Sequence, residues 1–406
     1  MFLYSWLSDW RRKTIETIGL GQRVRRSRRH SPVLHSNPEQ LEQRNLLTTI
    51  DLANLGAGGI TISGVDAGDR SGASVSNAGD VNGDGFDDFL IAAPRAYGAG
   101  NLLPEAGETY LIFGGPSMPA ALDPANLGTA GITIFGADQF DISGQSISSA
   151  GDVNGDGFND ILIGAPGGDG INNTLPGAGD SYVVFGGNSL PATINLANLG
   201  TAGITIYGIL ENDASGYSVS SAGDFNGDGF DDLLIGAFDR PGTGIGQYHV
   251  GESYVIFGGA SLPTTISLAN PGSVGVKIQG IDAYDNSGRS VSSAGDVNGD
   301  GFDDIIIGAY NGDGAGNAVT NSGESYIIFG RATPLPTINL ANLGSSGVTI
   351  FGIDPLDRSG FSVSDAGDVN GDGFDDVLIG AELGDGAGNA HNTSGESYLI
   401  FGGPSL

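Results

Sequence analysis

One unit of sequence recurs five times at a fixed step. The string Gly-Asp-x-Asn-Gly-Asp-Gly-Phe starts at Gly79, Gly151, Gly223, Gly295 and Gly367, 72 residues apart each time. A Phe-Gly pair keeps the same step, at Phe113, Phe185, Phe257, Phe329 and Phe401. A long period held this strictly points to a solenoid or a propeller, in which each unit buries its apolar surface against its neighbours. The units are 46–117, 118–189, 190–261, 262–333 and 334–405, and a segment 1–45 of different character precedes them.

Within a unit the pattern is that of strands. In the first, Ile60-Thr61-Ile62-Ser63 alternates apolar and polar residues, as a half-exposed strand does. Ala73-Ser74-Val75-Ser76 also alternates, with small side chains that suit a crowded axis. Phe89–Ala93 and Tyr110–Phe113 are continuously apolar, which suits strands covered on both faces. Glycine-rich turns separate them. Glycine makes up 72 of the 406 residues, far above the usual ~7%, and its poor helix propensity argues against a helical bundle. Four strands per unit, repeated radially, predict an all-β fold: a β-propeller of five four-stranded blades. The absence of cysteine excludes disulfides and thiolate metal sites, and no apolar run reaches the length of a membrane span.

Charge divides the chain in two. Residues 1–45 carry nine basic and four acidic residues, whereas 46–406 carry seven basic and 43 acidic ones, a net −36. Such a body repels nucleic acid and attracts divalent cations. The head has too short an apolar run for a secretory signal, and it reads as a disordered tail or an address. Its Leu41-Glu42-Gln43-Arg44-Asn45-Leu46-Leu47-Thr48 resembles the LEPR-XLL motif of planctomycete surface proteins.

The loop inside the repeated string carries the chemistry. In Asp80-Val81-Asn82-Gly83-Asp84-Gly85-Phe86-Asp87-Asp88, side-chain oxygens fall at positions 1, 3, 5 and 9, and position 7 (Phe86) offers its backbone carbonyl. That is the first part of an EF-hand loop. Position 12, however, is Ile91 rather than Glu, and the residues that follow are β-rich. The expectation is a calcium-binding β-hairpin loop. The other copies supply Asp152, Asn154, Asp156, Phe158 and Asp160; Asp224, Asn226, Asp228, Phe230 and Asp232; Asp296, Asn298, Asp300, Phe302 and Asp304; and Asp368, Asn370, Asp372, Phe374 and Asp376. About five Ca2+ ions are predicted. A metal-free Asx-rich hairpin explains the Asn-Gly and Asp-Gly turns, but not clustered carboxylates repeated five times. Magnesium fits less well, since it keeps its waters and demands octahedral geometry.

The run Ser-Gly-x-Ser-(Val/Ile)-Ser-x-Ala-Gly-Asp-(Val/Phe)-Asn-Gly-Asp-Gly-Phe, closing on (Gly/Ala)-Ala, resembles the FG-GAP repeat of integrin α-subunit propellers and their bacterial relatives. The resemblance covers all five units. It departs from the family at Ser71-Gly72, where the family has Phe-Gly, and at Phe238, Tyr310 and Glu382, where it has Pro. The integrin propeller has seven such units. The resemblance implies four strands, A before the calcium loop, B and C after it, and D last. Residues 60–63 are then a spare D strand, and the fifth unit stops after C. Pairing the two would close five blades into a ring without a free edge; an arc of a longer propeller is the alternative.

A second acid recurs before each Ser-Gly: Asp69, Asp141, Asp213, Asp285 and Asp357. It reads as an Asx turn into strand A or as a ring of acids forming a ligand face opposite the calcium loops. Long variable B–C loops (95–107, 167–179, 239–251, 311–323 and 383–395) share that face, where recognition is usually built. Each is followed by an acid: Glu108, Asp180, Glu252, Glu324 or Glu396. Catalytic motifs are lacking, and the four histidines occupy no repeated position. The sequence is read as a calcium-binding adhesion or ligand-recognition module, extracellular or at the cell surface and not an enzyme. Its partner is expected to be a surface protein or a glycan. The alternatives are a polysaccharide-active propeller enzyme and a structural surface-layer component.

Overall fold

A computed structural model describes residues 51–55, 58–119, 121–242 and 248–406. The basic segment 1–45, with its LEPR-XLL-like stretch, lies outside the described residues. Among these the only regular elements are β-strands and three-residue 3-10 turns.

In the first blade strand A runs Ser74–Gly79, B Asp88–Ala93, C Glu108–Ile112 and D Gly131–Phe135. They pair antiparallel in that order, with Val75 opposite Ile91, Ile91 opposite Tyr110 and Tyr110 opposite Thr133. The same order recurs from Ser146, Ser218 and Ser290. The continuously apolar B strands are covered on both faces: Ile161, Leu162 and Ile163 are all fully buried. A register shift before Gly79, whose φ of +69° suits glycine, ends strand A and sends the chain into the hairpin loop. Neighbouring blades join along their A strands. Backbone N–H groups of Ile147, Val219, Val291 and Val363 donate to Ser74, Ser146, Ser218 and Ser290 Oγ of the blade before, at 3.0–3.3 Å.

Two features differ from the sequence reading. The first is a fifth strand. Thr193–Asn195, Thr265–Ser267 and Thr337–Asn339, each between strands C and D of its own blade, reach back and pair in parallel with strand D of the blade before. Ile194, Ile266 and Ile338 are buried there. These segments cover what would otherwise be a free sheet edge.

The second is closure. Residues 60–63 were expected to pair with strand C of the fifth blade. The structure pairs Thr61–Ile62 in parallel with Ala121–Leu122, and the fifth blade contains A (Ser359–Gly367), B (Asp376–Ala381) and C (Glu396–Ile400) alone. Thr61–Ile62 thus takes the contact that the D strands of the first three blades make with the following unit, but no C strand pairs with its other side among the described residues. Among the described residues, the outer faces of the first and fifth blades are more exposed than those between them. Val75 is 67% exposed, whereas its counterparts Ile147, Val219, Val291 and Val363 are at most 8% exposed. At the other end Leu399 is 37% exposed, against 1% or less for Leu111, Val183, Val255 and Ile327. Among the described residues no strand of the fifth blade pairs with one of the first.

Candidate functional site

The hairpin loops form one repeated arrangement. Asp80 sits at the entrance and turns its carboxylate onto the loop's own backbone, accepting from Gly83 N (2.8 Å), Asp84 N (3.0 Å) and Gly85 N (2.9 Å). Asn82 accepts from Asp84 N at 2.8 Å and Asp84 from Phe86 N at 3.0 Å. Gly85, with φ +87°, makes the sharp turn that lets these oxygens gather on one side. The same bonds recur around Asp152, Asp296 and Asp368, and Asp224 accepts from Asp228 N and Gly229 N. Asp and Asn oxygens at positions 1, 3 and 5 therefore lie together in the first, second, fourth and fifth copies, each with lone pairs to spare; in the third, Asn226 is buried and its side chain makes no such bond.

Position 9 opens strand B and is buried. Asp88 Oδ2 accepts from Val81 N (3.1 Å) and Oδ1 from Gly114 N (2.8 Å), so this residue ties the loop to the end of strand C. Asp160, Asp304 and Asp376 make the same pair of bonds. In the third loop Asp232 Oδ1 accepts from Gly258 N at 2.9 Å, while the buried Oδ2 has no partner. Burial is the main force that raises these carboxyls above the ordinary range, with the other loop acids adding to it. Asp160 is pushed up to about 7, Asp232 and Asp304 to about 8, and Asp88 upward. The donors gathered in each loop are all oxygen, the set that a hard cation takes. Among the described residues no three acidic or histidine side chains already stand as a complete ligand set.

Sequence reasoning missed position 8. Asn159 Oδ1 accepts from Asp80 N of the preceding loop at 3.1 Å; Asp231, Asp303 and Asp375 accept from Asp152, Asp224 and Asp296 N at 2.7–2.9 Å. The position-7 ring packs on the position-4 glycine of that same loop: a Cβ on Gly83 would lie 2.4 Å from the Phe158 ring. Each hairpin is thus latched by the next. The signal was a polar residue always seven places after the entrance Asp, but its partner lies 79 residues away.

On the opposite face, Asp69, Asp141, Asp213, Asp285 and Asp357 are buried. The first four accept a backbone N–H three residues back, at 2.9–3.2 Å. The acids Glu108, Asp180, Glu252, Glu324 and Glu396 open the C strands. Glu108 and Glu252 accept from the hydroxyls of Tyr110 and Tyr254 (2.7 and 2.6 Å), and Glu324 and Glu396 from those of Tyr326 and Tyr398.

A family model described as the FG-GAP repeat matches five stretches, 71–110, 143–184, 215–256, 287–328 and 361–399, together about half of the chain. The chain belongs to the FG-GAP repeat family. Each matched stretch runs from the Ser-Gly before strand A, or just after it, through the hairpin loop to strand C. FG-GAP repeats commonly bind Ca2+. Among relatives, integrin alpha pat-2 of Caenorhabditis elegans is 30% identical over 268 residues, 61% of this chain and 19% of that protein. Integrin alpha-5 of Xenopus laevis is 30% identical over 56% of this chain and 19% of its own length. The phosphatidylinositol-glycan-specific phospholipase D of Dictyostelium discoideum is 29% identical over 48% of this chain and 20% of its own. The chain therefore spans about a fifth of the length of these relatives. No helix among the described residues is long and apolar enough to cross a membrane.

The FG-GAP framework also shows what varies. The residue between Ser-Gly and Ser is Ala73, Gln145, Tyr217, Arg289 or Phe361, and the family's Pro position holds Phe238, Tyr310 or Glu382 in the last three units. The structure gathers these on the face opposite the hairpins. The Arg289 guanidinium lies over Phe361 (4.1 Å), Tyr310 (5.1 Å) and Tyr217 (5.5 Å). The departures from the family pattern at positions 72 residues apart were the signal for this cluster.

Proposed function

We propose that this chain is a calcium-stabilised FG-GAP scaffold of an extracellular or cell-surface protein, serving adhesion or ligand recognition rather than catalysis. The observation that carries the reading is the fivefold Asp-x-Asn-Gly-Asp-Gly-Phe-x-Asp hairpin. Its all-oxygen donors suit calcium, and the repeated carboxylates repel one another until a cation neutralises them. Asp80, Asn82, Asp84 and the Phe86 carbonyl, with their counterparts, would hold about five ions. Calcium supplies positive charge there, and the chain's own contribution is to fix the loops and, through position 8, the spacing of neighbouring blades.

Two relatives with unlike names, an integrin alpha and a phospholipase D, share this repeat over about a fifth of their length. A module common to both is better read as scaffold than as a catalytic centre. The partner, a surface protein or a glycan, engages the variable face with its aromatic residues and Arg289. The net −36 of residues 46–406 makes nucleic acid an unsuitable partner.

The test is thermal melting in millimolar calcium and in excess chelator, paired with a protein and glycan array probed under both conditions. Binding to the native state alone adds ~2.7 kcal/mol per site at a hundredfold excess over Kd, so the midpoint should fall sharply in chelator. An unchanged midpoint would refute the calcium reading. Loss of an array hit in Phe361→Ala with unchanged melting would place recognition on the variable face. Retention of the hit there, with loss on altering a hairpin, would move it to the calcium face.

A further inference from the structure

We propose that the second blade binds a second kind of calcium site, on the face opposite the hairpins, between Asp141 and Asp180, in the place that the third blade fills with the guanidinium of Arg240. The inference does not depend on the hairpin reading.

Asp141, Asp180 and Asp138 line one cavity of about 280 Å³. Asp141 and Asp180 are each 3% exposed, and Asp180 Oδ1 has no hydrogen-bond partner. No ion pair reaches either of them among the described residues. Asp141 accepts from Asp138 N at 2.9 Å, and the backbone N–H groups of Gly208 and Gly170 lower Asp180, but burying the two acids side by side is costly unless a positive charge joins them.

The third blade shows which charge belongs there. Its equivalents of Asp141 and Asp180 are Asp213 and Glu252, one period further on. Arg240 bridges them, with one guanidinium N–H nitrogen 2.6 Å from Asp213 and Nε 3.2 Å from Glu252, and Lys277 adds a contact to Glu252 at 3.0 Å. In the second blade Gly168 stands where the third has Arg240; a Cβ there would lie 2.6 Å from Asp180 Oδ2, so Asp180 itself closes over this position and no side chain from it supplies the charge. The acids change in step. Asp138 and Asp169 of the second blade correspond to Leu210 and Pro241 in the third. One blade combines two acids with two bases; the other combines four acids with none. The site keeps its demand for positive charge and meets it in one blade with side chains.

Every donor offered in the second blade is oxygen, the ligand set of a hard cation, and the acid count favours calcium over a monovalent ion. Burial, with repulsion from the neighbouring acids, holds both Asp141 and Asp180 at about 7 in the absence of a cation. The fourth blade repeats the set with Asp282, Asp285, Asp313 and Glu324.

The test is equilibrium dialysis of the full chain against calcium, counting ions bound per chain. Asp141→Asn/Asp180→Asn should bind one ion fewer than the unaltered chain. Thr205→Lys, which places the counterpart of Lys277 on a residue lining the cavity, should also bind one fewer while keeping its melting temperature in chelator. Should the double variant fail to fold, Thr205→Lys decides. A full count in the folded variants would overturn the proposal and leave the pocket to a shared proton. Asp156→Ala reports on the hairpins separately: a full count there, with one ion lost in the pocket variants, would reject the hairpin reading and keep this one.

Discussion

Position 8 of the hairpin illustrates how a residue can matter for a neighbour more than for its own loop. Asp231 caps Asp152 N in the blade before, and Asn159 does the same for Asp80 with an amide oxygen. Asp231→Asn should therefore be nearly neutral, whereas Asp231→Ala should cost ~1–2 kcal/mol, the worth of a lost charge-assisted hydrogen bond; urea unfolding in calcium measures both. The buried acids of the variable face give a pH signature. Burial raises Asp141, Asp180 and Asp285 to about 7 in the folded chain, against an ordinary ~3.9 when unfolded. Between these values the folded state holds more protons, so stability is greatest at the acid end and falls as pH rises from 4 through 7. In chelator the melting temperature should drop between pH 5 and 8, and calcium should reduce the drop; a rise with pH in chelator would contradict the assignment. At this scale the hairpin built around the Asp and Asn residues at positions 1, 3 and 5 was legible because the spacing within it is local. Position 8 and Arg240 were not, since each is defined by a group tens of residues away.

Strands A to D could be read from alternation and apolar runs because each is long enough to show a period. The fifth strand could not. Thr193–Asn195 has three residues, too few for a pattern, and its partner belongs to the preceding blade. Its anchor is Ile194, which is 7% exposed and packs into the core of the first two blades. Ile194→Ala should cost ~2–4 kcal/mol and speed amide exchange at Thr133 and Phe135 of the covered strand, as hydrogen exchange followed by mass spectrometry would show.

For the molecule as a whole, blade number followed from the period, but closure did not, because the turn from blade to blade is set by packing between units and leaves no local trace in sequence. A direct comparison tests the open arrangement. Val219→Ala, at a buried junction, should lower stability by ~2 kcal/mol, whereas Val75→Ala, on the uncovered first blade, should change it by less than ~0.5 kcal/mol. Equal losses would mean that the first strand is covered in solution. The latch between hairpins also gives the array a direction. Asp375 closes over Gly295, and Phe374 over Gly299, but Gly367 and Gly371 of the fifth hairpin have nothing within reach of a Cβ. Four hairpins are thus each held shut by the one that follows. Calcium withdrawal should therefore proceed as an ordered unbuttoning against the chain direction, in which each ion released frees the hairpin behind it to release its own.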